Sequence, residues 1–341
     1  MTKRLVFDFD YIKYTIAAAC EKRECIVTHK PTGKQKIFKT KTDFQGHWKK
    51  RDGGWLAETN LNRMQEGKAP FDIDDFEFSD KQTPEPLEFA LSSVKNHINN
   101  IVEALGATSY YGYLGKGDSW RVEASTLLKY KGSRSNLLKP VHLEEIEKYL
   151  ITSHNAKIVR GLESDDKCVI DCTADPALIL IGVEKDFQGC EIKYYRHGVD
   201  EKPQDIKGFG ELYLNPKGDV KGHGYVWWLH QVLSGDSSDE YAANSATDKK
   251  WGEKSSYKLL APCKNEKEAW EAVIKGYKQL YPEPKLFKGW RGEEFMIDAR
   301  YVLNENCVMA KMLTSDDYVF NLDEELEKFG VVLDTLEGVD G

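Results

Sequence analysis

The stretch AKIVRGLESDD, residues 156–166, joins an apolar strand pattern to a run of acids. Residues 156–159 are short and apolar, as expected of a strand that is buried on both faces in a parallel sheet. A helical pattern then runs from about residue 164 to residue 172. This order of strand, acidic loop and helix is typical of one βα unit in an α/β protein. The acids of the loop are Glu163, Asp165 and Asp166.

Three further segments repeat the arrangement. Strands are predicted at residues 4–9, 108–114 and 177–183, and helical patterns at 86–105 and 141–150 alternate with them. The alternation predicts an α/β fold with a mostly parallel sheet flanked by helices. Each strand ends in acids, which are Asp8 and Asp10 after the first, Asp118 after the second, and Glu184 and Asp186 after the last.

These acids should meet in one cleft, because ligands of an open α/β sheet bind beyond the carboxyl ends of its strands. Carboxylates packed together raise one another's pKa, so a cation must compensate them. Oxygen ligands without a His or Cys pair favour Mg²⁺ or Mn²⁺. Two such ions are the usual means of hydrolysing a phosphodiester. The segment SGDSSDE, residues 234–240, adds Asp236 and Asp239, which can face the same way on a helical turn, although a capped helix start explains them equally well.

Composition excludes several classes of protein. The chain has 341 residues, with 48 Lys and Arg against 56 Asp and Glu, a formal net charge of −8, so DNA binding must use local basic patches or metal ions. Seven scattered cysteines without a CxxC pair argue against a disulfide scaffold and indicate a cytoplasmic protein. The longest apolar run, residues 177–183, is too short for a membrane span, and Asp8 and Asp10 interrupt the only apolar stretch near the start, so we expect no signal peptide.

The length suggests roughly two domains. We expect an α/β domain over residues 1–220 and a helical region over 221–341. A hairpin is predicted at residues 24–42, around a Pro-Thr-Gly turn, and edge strands at 188–224. The first hairpin is either a solvated surface or a functional basic surface, since it carries Lys30, Lys34, Lys36, Lys39 and Lys41.

Five segments resemble, in order, the motifs of the 5′-nuclease superfamily, which includes flap endonucleases and phage 5′→3′ exonucleases. GLESDD (161–166) is similar to its G-[VL]-E-A-D-D motif, and GDSSDEY (235–241) to its GDxxDN motif. YKGSR (130–134) resembles Y-K-x-x-R, VEKDF (183–187) resembles [ST]-x-D-x-D-[FW], and Asp8 looks like the N-terminal metal aspartate. The likeness spans residue 5 to about residue 257 and is closest to the small stand-alone exonucleases of tailed bacteriophages.

The resemblance implies a PIN-like, Rossmann-like fold and a monomeric 5′→3′ exodeoxyribonuclease that acts in phage DNA replication or recombination, with flap endonuclease activity in addition. A helical arch at about 118–155 would pass single-stranded 5′ DNA, with Lys131 and Arg134 at its base as catalytic cations and Tyr130 either stacked on the terminal base or at the edge of the core. The ligands of the first metal ion would be Asp8, Asp118, Glu163 and Asp165. Those shaping the second site would be Asp166, Glu184, Asp186, Asp236 and Asp239.

The chain departs from the family at three places. Glu184 stands where the family usually has Asp, and Phe9 where Gly is common. The glycine-rich loop that binds duplex phosphates is replaced by residues 242–254, a degenerate helix-turn-helix-like segment. We expect DNA contacts from two basic stretches. These are Lys129, Lys131, Arg134 and Lys139, and then Lys249, Lys250, Gly252 and Lys254.

Two other functions remain open at this point. A haloacid-dehalogenase-like phosphohydrolase would use Asp8 as nucleophile and Asp10 as acid, since LVFDFD (5–10) superficially matches that family's first motif. It would leave GLESDD without a role. The second is a DNA-structure-binding protein with weakened catalytic activity. Glu184 and the replacement of the glycine-rich loop by residues 242–254 both favour it.

Overall fold

A computed structural model describes residues 3–46 and 53–333. Its strands are β1 (Lys3–Asp8), β2 (Glu21–His29), β3 (Lys34–Phe38), β4 (Phe76–Pro84), β5 (Ala107–Ser119), β6 (Ala156–Gly161), β7 (Leu178–Ile181), β8 (Lys193–Tyr195), β9 (Gln204–Asp205), β10 (Glu211–Leu214), β11 (Val220–His223), β12 (Lys285–Lys288) and β13 (Glu294–Ile297). Its helices are α1 (Phe9–Ala19), α2 (Lys41–Gln45), α3 (Trp55–Gln65), α4 (Leu87–Leu105), α5 (Trp120–Ala124), α6 (Leu143–Ser153), α7 (Ser164–Ala174), α8 (Tyr225–Ser234), α9 (Glu253–Leu260), α10 (Glu266–Leu280), α11 (Ala299–Ala310) and α12 (Leu322–Glu327).

The central sheet has the strand order β6-β5-β1-β7-β8-β9. All neighbouring pairs from β6 to β8 are parallel, and β9 adds an antiparallel edge. Strand β1 lies in the middle because Leu5, Val6 and Phe7 are fully buried, as a strand covered on both faces requires. The predicted mixed α/β fold with a mostly parallel sheet flanked by helices is therefore confirmed, and the carboxyl ends of β1, β5, β6 and β7 share one edge.

Two apolar clusters support that edge. Helix α7 packs against β1, β5, β6 and β7 and contributes Cys168, Val169 and Cys172 to the cluster at the sheet. Helices α8, α9, α10 and α11 pack together around Trp270 and Tyr277, which are fully buried. Helix α8 leads directly into the segment that contains Asp236 and Asp239.

The chain divides into two compact units. One consists of the residues up to Ile12, His97–Leu138 and the residues from Tyr149 onward, and the other of Lys13–Asn96 and Lys139–Lys148. The boundary that the sequence places near residue 220 falls inside the first unit, where β11 leads into α8. The assignment of a nuclease domain to residues 1–220 and of a duplex-binding region to 221–341 stays a prediction, and its last residues, 334–341, lie outside the described chain.

The second unit contains a three-stranded antiparallel sheet of order β3-β2-β4. The predicted hairpin at 24–42 is confirmed as β2 and β3, and β4 extends it. Phe44 of α2 and Trp55 of α3 cover one face of this sheet, where Phe44 is fully buried and stacks on Trp55 at 5.5 Å between ring centroids.

The expectation of an entirely helical region after residue 225 is wrong. Strands β12 and β13 form an antiparallel hairpin within it, and the helix that follows the hairpin spans only Ala299–Ala310. The helix begins there because the Asp298 side chain accepts a hydrogen bond of 2.7 Å from the Tyr301 N–H, an N-cap that the apolar pattern did not reveal.

The segment predicted as an arch, 118–155, contains the short helix α5, a 3₁₀ turn at Gly132–Asn136 and α6. Its role as a clamp on single-stranded DNA stays a prediction. None of the described helices combines the length and the apolar character that crossing a bilayer would demand.

Candidate metal centre

The acidic loops lie at the shared carboxyl edge of the sheet because each follows a parallel strand. Asp8 ends β1, Glu163 directly precedes α7 after β6, and Glu184 precedes a 3₁₀ turn, Lys185–Gly189, after β7. The topology thus brings together residues that are far apart in sequence. The same edge is reached by loops from the C-terminal part of the chain.

The loop that carries Asp236 and Asp239 depends on Gly235. Its φ of +79° lies in the left-handed region, and an added Cβ would lie 2.5 Å from the Tyr241 carbonyl oxygen. Asp236 and Tyr241 exchange backbone hydrogen bonds of 2.8 and 3.2 Å, which close the loop between them. A glycine is therefore needed where α8 turns into this acidic loop.

A three-carboxylate group lies at the start of α7. Glu163, Asp165 and Asp166 each place one oxygen within 4.8 Å of the others. Ligand oxygens on opposite sides of one divalent ion lie about 4–5 Å apart, which is twice the metal–oxygen distance. The spacing of this group therefore suits a shared ion.

Glu163 is held by three donors. Its Oε2 accepts from Arg121 Nη1 at 2.8 Å and from the Tyr130 hydroxyl at 2.9 Å, and its Oε1 accepts from Lys131 Nζ. Burial would raise the pKa of Glu163, but Lys131 and Arg121 outweigh it and lower the pKa below its usual value. Glu163 is accordingly a carboxylate at neutral pH.

Asp166 forms a buried, bidentate ion pair. Its two oxygens accept from Arg121 Nη1 at 2.5 Å and Nη2 at 2.9 Å, and both side chains are at most 2% exposed. The Leu313 N–H and the Trp120 indole N–H complete its shell at 3.1 and 3.3 Å. Because four donors occupy the two oxygens, Asp166 acts in this conformation as an anchor of the site.

Asp165 differs from its neighbours because no described cation forms an ion pair with it. Burial and the adjacent charges of Glu163 and Asp166 raise its pKa well above the usual value for Asp. Its Oδ1 accepts the Asp166 N–H at 2.7 Å. Asp165 is thus the member of the group whose negative charge most needs an external cation.

Asp8 is also buried, at 3% exposure. Its Oδ1 accepts from the Ser164 hydroxyl at 2.8 Å and from the Asp10 N–H at 3.1 Å. Burial first, and then the charges of Asp10 and Glu184, raise its pKa to about 7. The side chain therefore joins the β1 end to the start of α7.

A second group of carboxylates comes from the β7 loop and the α8 loop. Burial and the charge of Asp239 raise the pKa of Asp186 to about 7. Asp236 pairs with Lys185 at 2.9 Å, and Asp239 pairs with Arg134 at 2.8 Å and lies 3.8 Å from Lys131. Lys131 therefore links the two groups, because it contacts both Glu163 and Asp239. Glu184 is exposed at the same edge, within electrostatic reach of Lys131 and Asp239.

One candidate ligand lies apart from this set. Asp118 is exposed, and its described contacts do not join it to the other acids. It is one of three residues of β5, 116–118, that lie between the pairs Gly115–Val159 and Ser119–Gly161, where the register with β6 shifts. Its role as a ligand of the first ion stays a prediction.

The expectation that Tyr130 stacks on a terminal base does not fit its environment. The ring is 4% exposed within the helical core, and its hydroxyl donates to Glu163 and, at 3.3 Å, to Asp239. Of the two interpretations of Tyr130, the structure supports the aromatic at the core edge, which positions two carboxylates. An aromatic ring without an exposed face cannot accept a base in this conformation.

The remaining expected DNA contacts are lysines on the surface. Lys129 is exposed, with Nζ 5.5 Å from the Trp290 ring centroid, and Lys139 is exposed in the second unit. Lys249 donates to the Gln279 carbonyl, which ties down its side chain. Gly252 precedes α9, and a Cβ added to it would meet no atom within 4 Å. Lys250 and Lys254 are exposed, and DNA binding by all these residues stays a prediction.

Sequence reasoning missed Arg121 and the C-terminal residues that fix it. Arg121 donates to the carbonyl oxygens of Met309 at 3.2 Å and Lys311 at 2.7 Å, besides Asp166. Arg121 is 2% exposed, and burial of an arginine is rare unless it is paired. Its only signal in the sequence is its position shortly after Asp118 in GDSWR (117–121), where it reads as an ordinary surface residue.

Glu305 of α11 was missed as well. Its Oε1 accepts from the backbone N–H of Thr126 at 3.0 Å and of Leu127 at 2.9 Å. Arg291 donates to the Ser125 carbonyl at 2.7 Å, so two elements of the C-terminal region hold the segment that leads to Tyr130 and Lys131. The C-terminal region therefore positions the cations of the site.

The residues present fit a divalent cation. Apart from Asp118, the candidate ligands are eight carboxylates. Among the described residues, the cations paired with them are Arg121, Lys131, Arg134 and Lys185, which leaves an excess of four negative charges when all are ionised. The donors are all oxygens, which favours Mg²⁺ or Mn²⁺ over zinc. Glu163 and Asp165, with Asp8 and Asp186, would hold such ions.

The raised pKa of Asp8 predicts a pH-dependent stability. The folded-state pKa of about 7 exceeds the unfolded value of 3.8, so the contribution is full below pH 3.8 and is lost as pH rises through 7. In EDTA, we expect the wild type to lose about 2 kcal/mol of unfolding free energy relative to Asp8→Asn between pH 5.5 and 8, which is roughly 3 °C in Tm for a chain of this length.

Differential scanning fluorimetry of the two proteins measures this difference. Burial lowers the pKa of His97 and His230, whose titration affects both proteins alike and cancels in the comparison. Adding Mg²⁺ should reduce the difference in Tm between wild type and Asp8→Asn at pH 8. If the Tm of wild type and the Tm of Asp8→Asn changed with pH in the same way, Asp8 would not be a buried carboxylate with a raised pKa.

No protein family model matches the chain, and no curated protein matches it. One similar solved structure is titled "Crystal Structure of T5 D15 Protein Co-crystallized with Metal Ions". The match has 14% sequence identity and a TM-score of 0.40, and it covers 66% of this chain and 83% of that chain. A likeness this weak carries no argument about the activity of this chain.

Proposed function

We propose that this chain is a two-metal-ion 5′→3′ exodeoxyribonuclease that hydrolyses DNA phosphodiesters near 5′ ends, with flap endonuclease activity in addition. The observation that supports it most is that Lys131 contacts carboxylates of two different loops, Glu163 after β6 and Asp239 in the α8 loop. The five ordered motifs that resemble the 5′-nuclease superfamily supply the reaction class. When bound, divalent ions in this site would supply a hydroxide nucleophile and stabilise the leaving oxygen.

The chain's own residues would act on the substrate through charge. Lys131 and Arg134 present an ammonium and a guanidinium beside Glu163 and Asp239. A phosphodiester gains negative charge in the transition state, so positioned cations stabilise it more than the ground state. Tyr130 orients the two carboxylates that in turn orient these cations, and Arg121 and Asp166 hold the start of α7.

The phosphohydrolase alternative requires Asp8 to attack a phosphoryl group. Asp8 is 3% exposed, and its Oδ1 accepts from Ser164 and Asp10, so the geometry does not favour it as a nucleophile. That alternative also gives no role to the three-carboxylate group. A weakened binding protein would keep this group but cleave nothing.

A cleavage assay separates the three functions. Duplex, 5′-flap and RNA–DNA hybrid substrates labelled at the 5′ end are incubated side by side with Mg²⁺, with Mn²⁺ and with EDTA. We expect short labelled products from the DNA substrates only with a metal ion. Turnover of p-nitrophenyl phosphate that requires Asp8 but not Asp165 would support the phosphohydrolase, and tight flap binding without products would support the binding protein.

A further inference from the structure

Strand β3 and the residues that follow it form a row of lysines. Residues 25–42 contain five lysines and no acidic residue, in a chain whose formal net charge is −8. Lys34, Lys36, Lys39 and Lys41 are all exposed, and β3 is an edge strand of its sheet. These four lysines form the β3 lysine row.

Aromatic rings hold two members of the row in place. Lys36 Nζ lies 4.8 Å from the Trp55 ring centroid, and Lys41 Nζ lies 4.3 Å from that of Phe78. A cation over an aromatic face is attracted by the ring quadrupole without losing its charge. The aromatic cluster of the second unit thus fixes two ammonium groups at its border and leaves them exposed.

Within the part of the chain that the structure describes, the row lacks ion-pair partners. Across residues 3–46 and 53–333, no carboxylate lies within ion-pair distance of these four lysines. The nearest acid in sequence, Asp43, accepts from the Thr40 N–H and hydroxyl at 2.8 Å in a capping box. Other lysines of this unit are paired, such as Lys22 with Glu24 and Lys68 with Glu66. No direct ion pair with a described residue therefore neutralises the four ammonium groups of the row.

We infer that the β3 lysine row binds the phosphate backbone of a nucleic acid. Alternate residues on a strand lie about 6.8 Å apart, so Lys34 and Lys36 reach different phosphates of an extended chain. The inference rests on the proposed function in one respect, namely the choice of DNA as the polyanion. The carboxylates of the metal centre outnumber its cations and repel DNA in the absence of a metal ion, and a basic surface elsewhere on the chain would supply attraction.

The test compares two double variants in a binding assay. Lys34→Gln with Lys39→Gln removes two charges that have neither an ion pair nor an aromatic contact among the described residues, and Lys22→Gln with Lys68→Gln removes two paired charges from the same unit. Binding of a fluorescein-labelled single-stranded DNA is measured by anisotropy in EDTA at several salt concentrations. We expect Kd to rise about tenfold for the first variant, and the slope of log K against log salt to fall by about 1.4. The second variant should bind like wild type.

Other outcomes would overturn the inference. Equal affinities for the two variants would show that the row is only a solvated edge. A first variant that binds DNA normally but loses affinity for a poly-glutamate peptide would assign the row to an acidic protein. Because binding is measured without a metal ion, a loss of DNA affinity supports the inference even if the chain never cleaves DNA, and cleavage with equal affinities supports the proposed function alone.

Discussion

Asp165→Asn is expected to abolish metal-dependent cleavage while leaving the fold intact. The substitution keeps the shape of the side chain and removes the charge that no described cation pairs with. Loss of a ligand that places a metal ion removes several kcal/mol of transition-state stabilisation, which corresponds to roughly 10³-fold in rate. The measurement is single-turnover cleavage of 5′-labelled duplex DNA in Mg²⁺.

The same variant should be at least as stable as wild type in EDTA. Burial and the charges of Glu163 and Asp166 raise the pKa of Asp165, so removing its charge relieves repulsion in the folded state. Asp205→Asn, which removes an exposed carboxylate paired with Lys207, is the matched control and should cleave normally. Full activity of Asp165→Asn would show that the three-carboxylate group is not the metal site.

The second large effect concerns stability. Arg121→Met should reduce the free energy of unfolding by about 3–5 kcal/mol, because it leaves the Asp166 carboxylate buried and unpaired. Arg300→Met is the control, since the Arg300–Asp323 pair is partly exposed and should contribute about 0–1 kcal/mol. Urea unfolding followed by tryptophan fluorescence measures both.

A double variant distinguishes the effect of the unpaired Asp166 charge from the effect of the other lost contacts of Arg121. Arg121→Met combined with Asp166→Leu replaces the buried pair by apolar side chains and should recover most of the lost stability. It should remain inactive, because the three-carboxylate group has lost a member and the start of α7 has lost its anchor to Leu313. A double variant as unstable as Arg121→Met alone would mean that the carbonyl contacts of Arg121, and not its pair with Asp166, carry the stability.

The sequence predicted the architecture because the signals are local. Each buried strand is a short apolar run followed directly by acids, as at Asp8 and at Glu163, and parallel pairing forces the ends of such strands to one edge. The hairpin of β2 and β3 was predictable because apolar and polar residues alternate on both sides of a turn. The same signal was present at Gly289 and Gly292, between two alternating runs, and would have predicted β12 and β13.

The sequence did not predict which residues of the site contact one another. Arg121 and Asp166 are 45 residues apart, and the other partners of Arg121 are backbone carbonyls, which leave no mark in a sequence. Tyr130 could be assigned either to the core or to a DNA base until its burial was known. The structure also changes the expectation for Asp166, whose substitution should disturb the fold as well as the chemistry.

The central claim is that acids remote in sequence form one site for divalent cations. Diffraction from crystals soaked in MnCl₂, recorded at the manganese absorption edge, tests it most directly. We expect anomalous peaks within about 2.5 Å of carboxylate oxygens of Glu163 and Asp165, with a further peak among Asp186, Asp236 and Asp239. Manganese bound only at surface carboxylates elsewhere, with none at Asp165, would contradict the account.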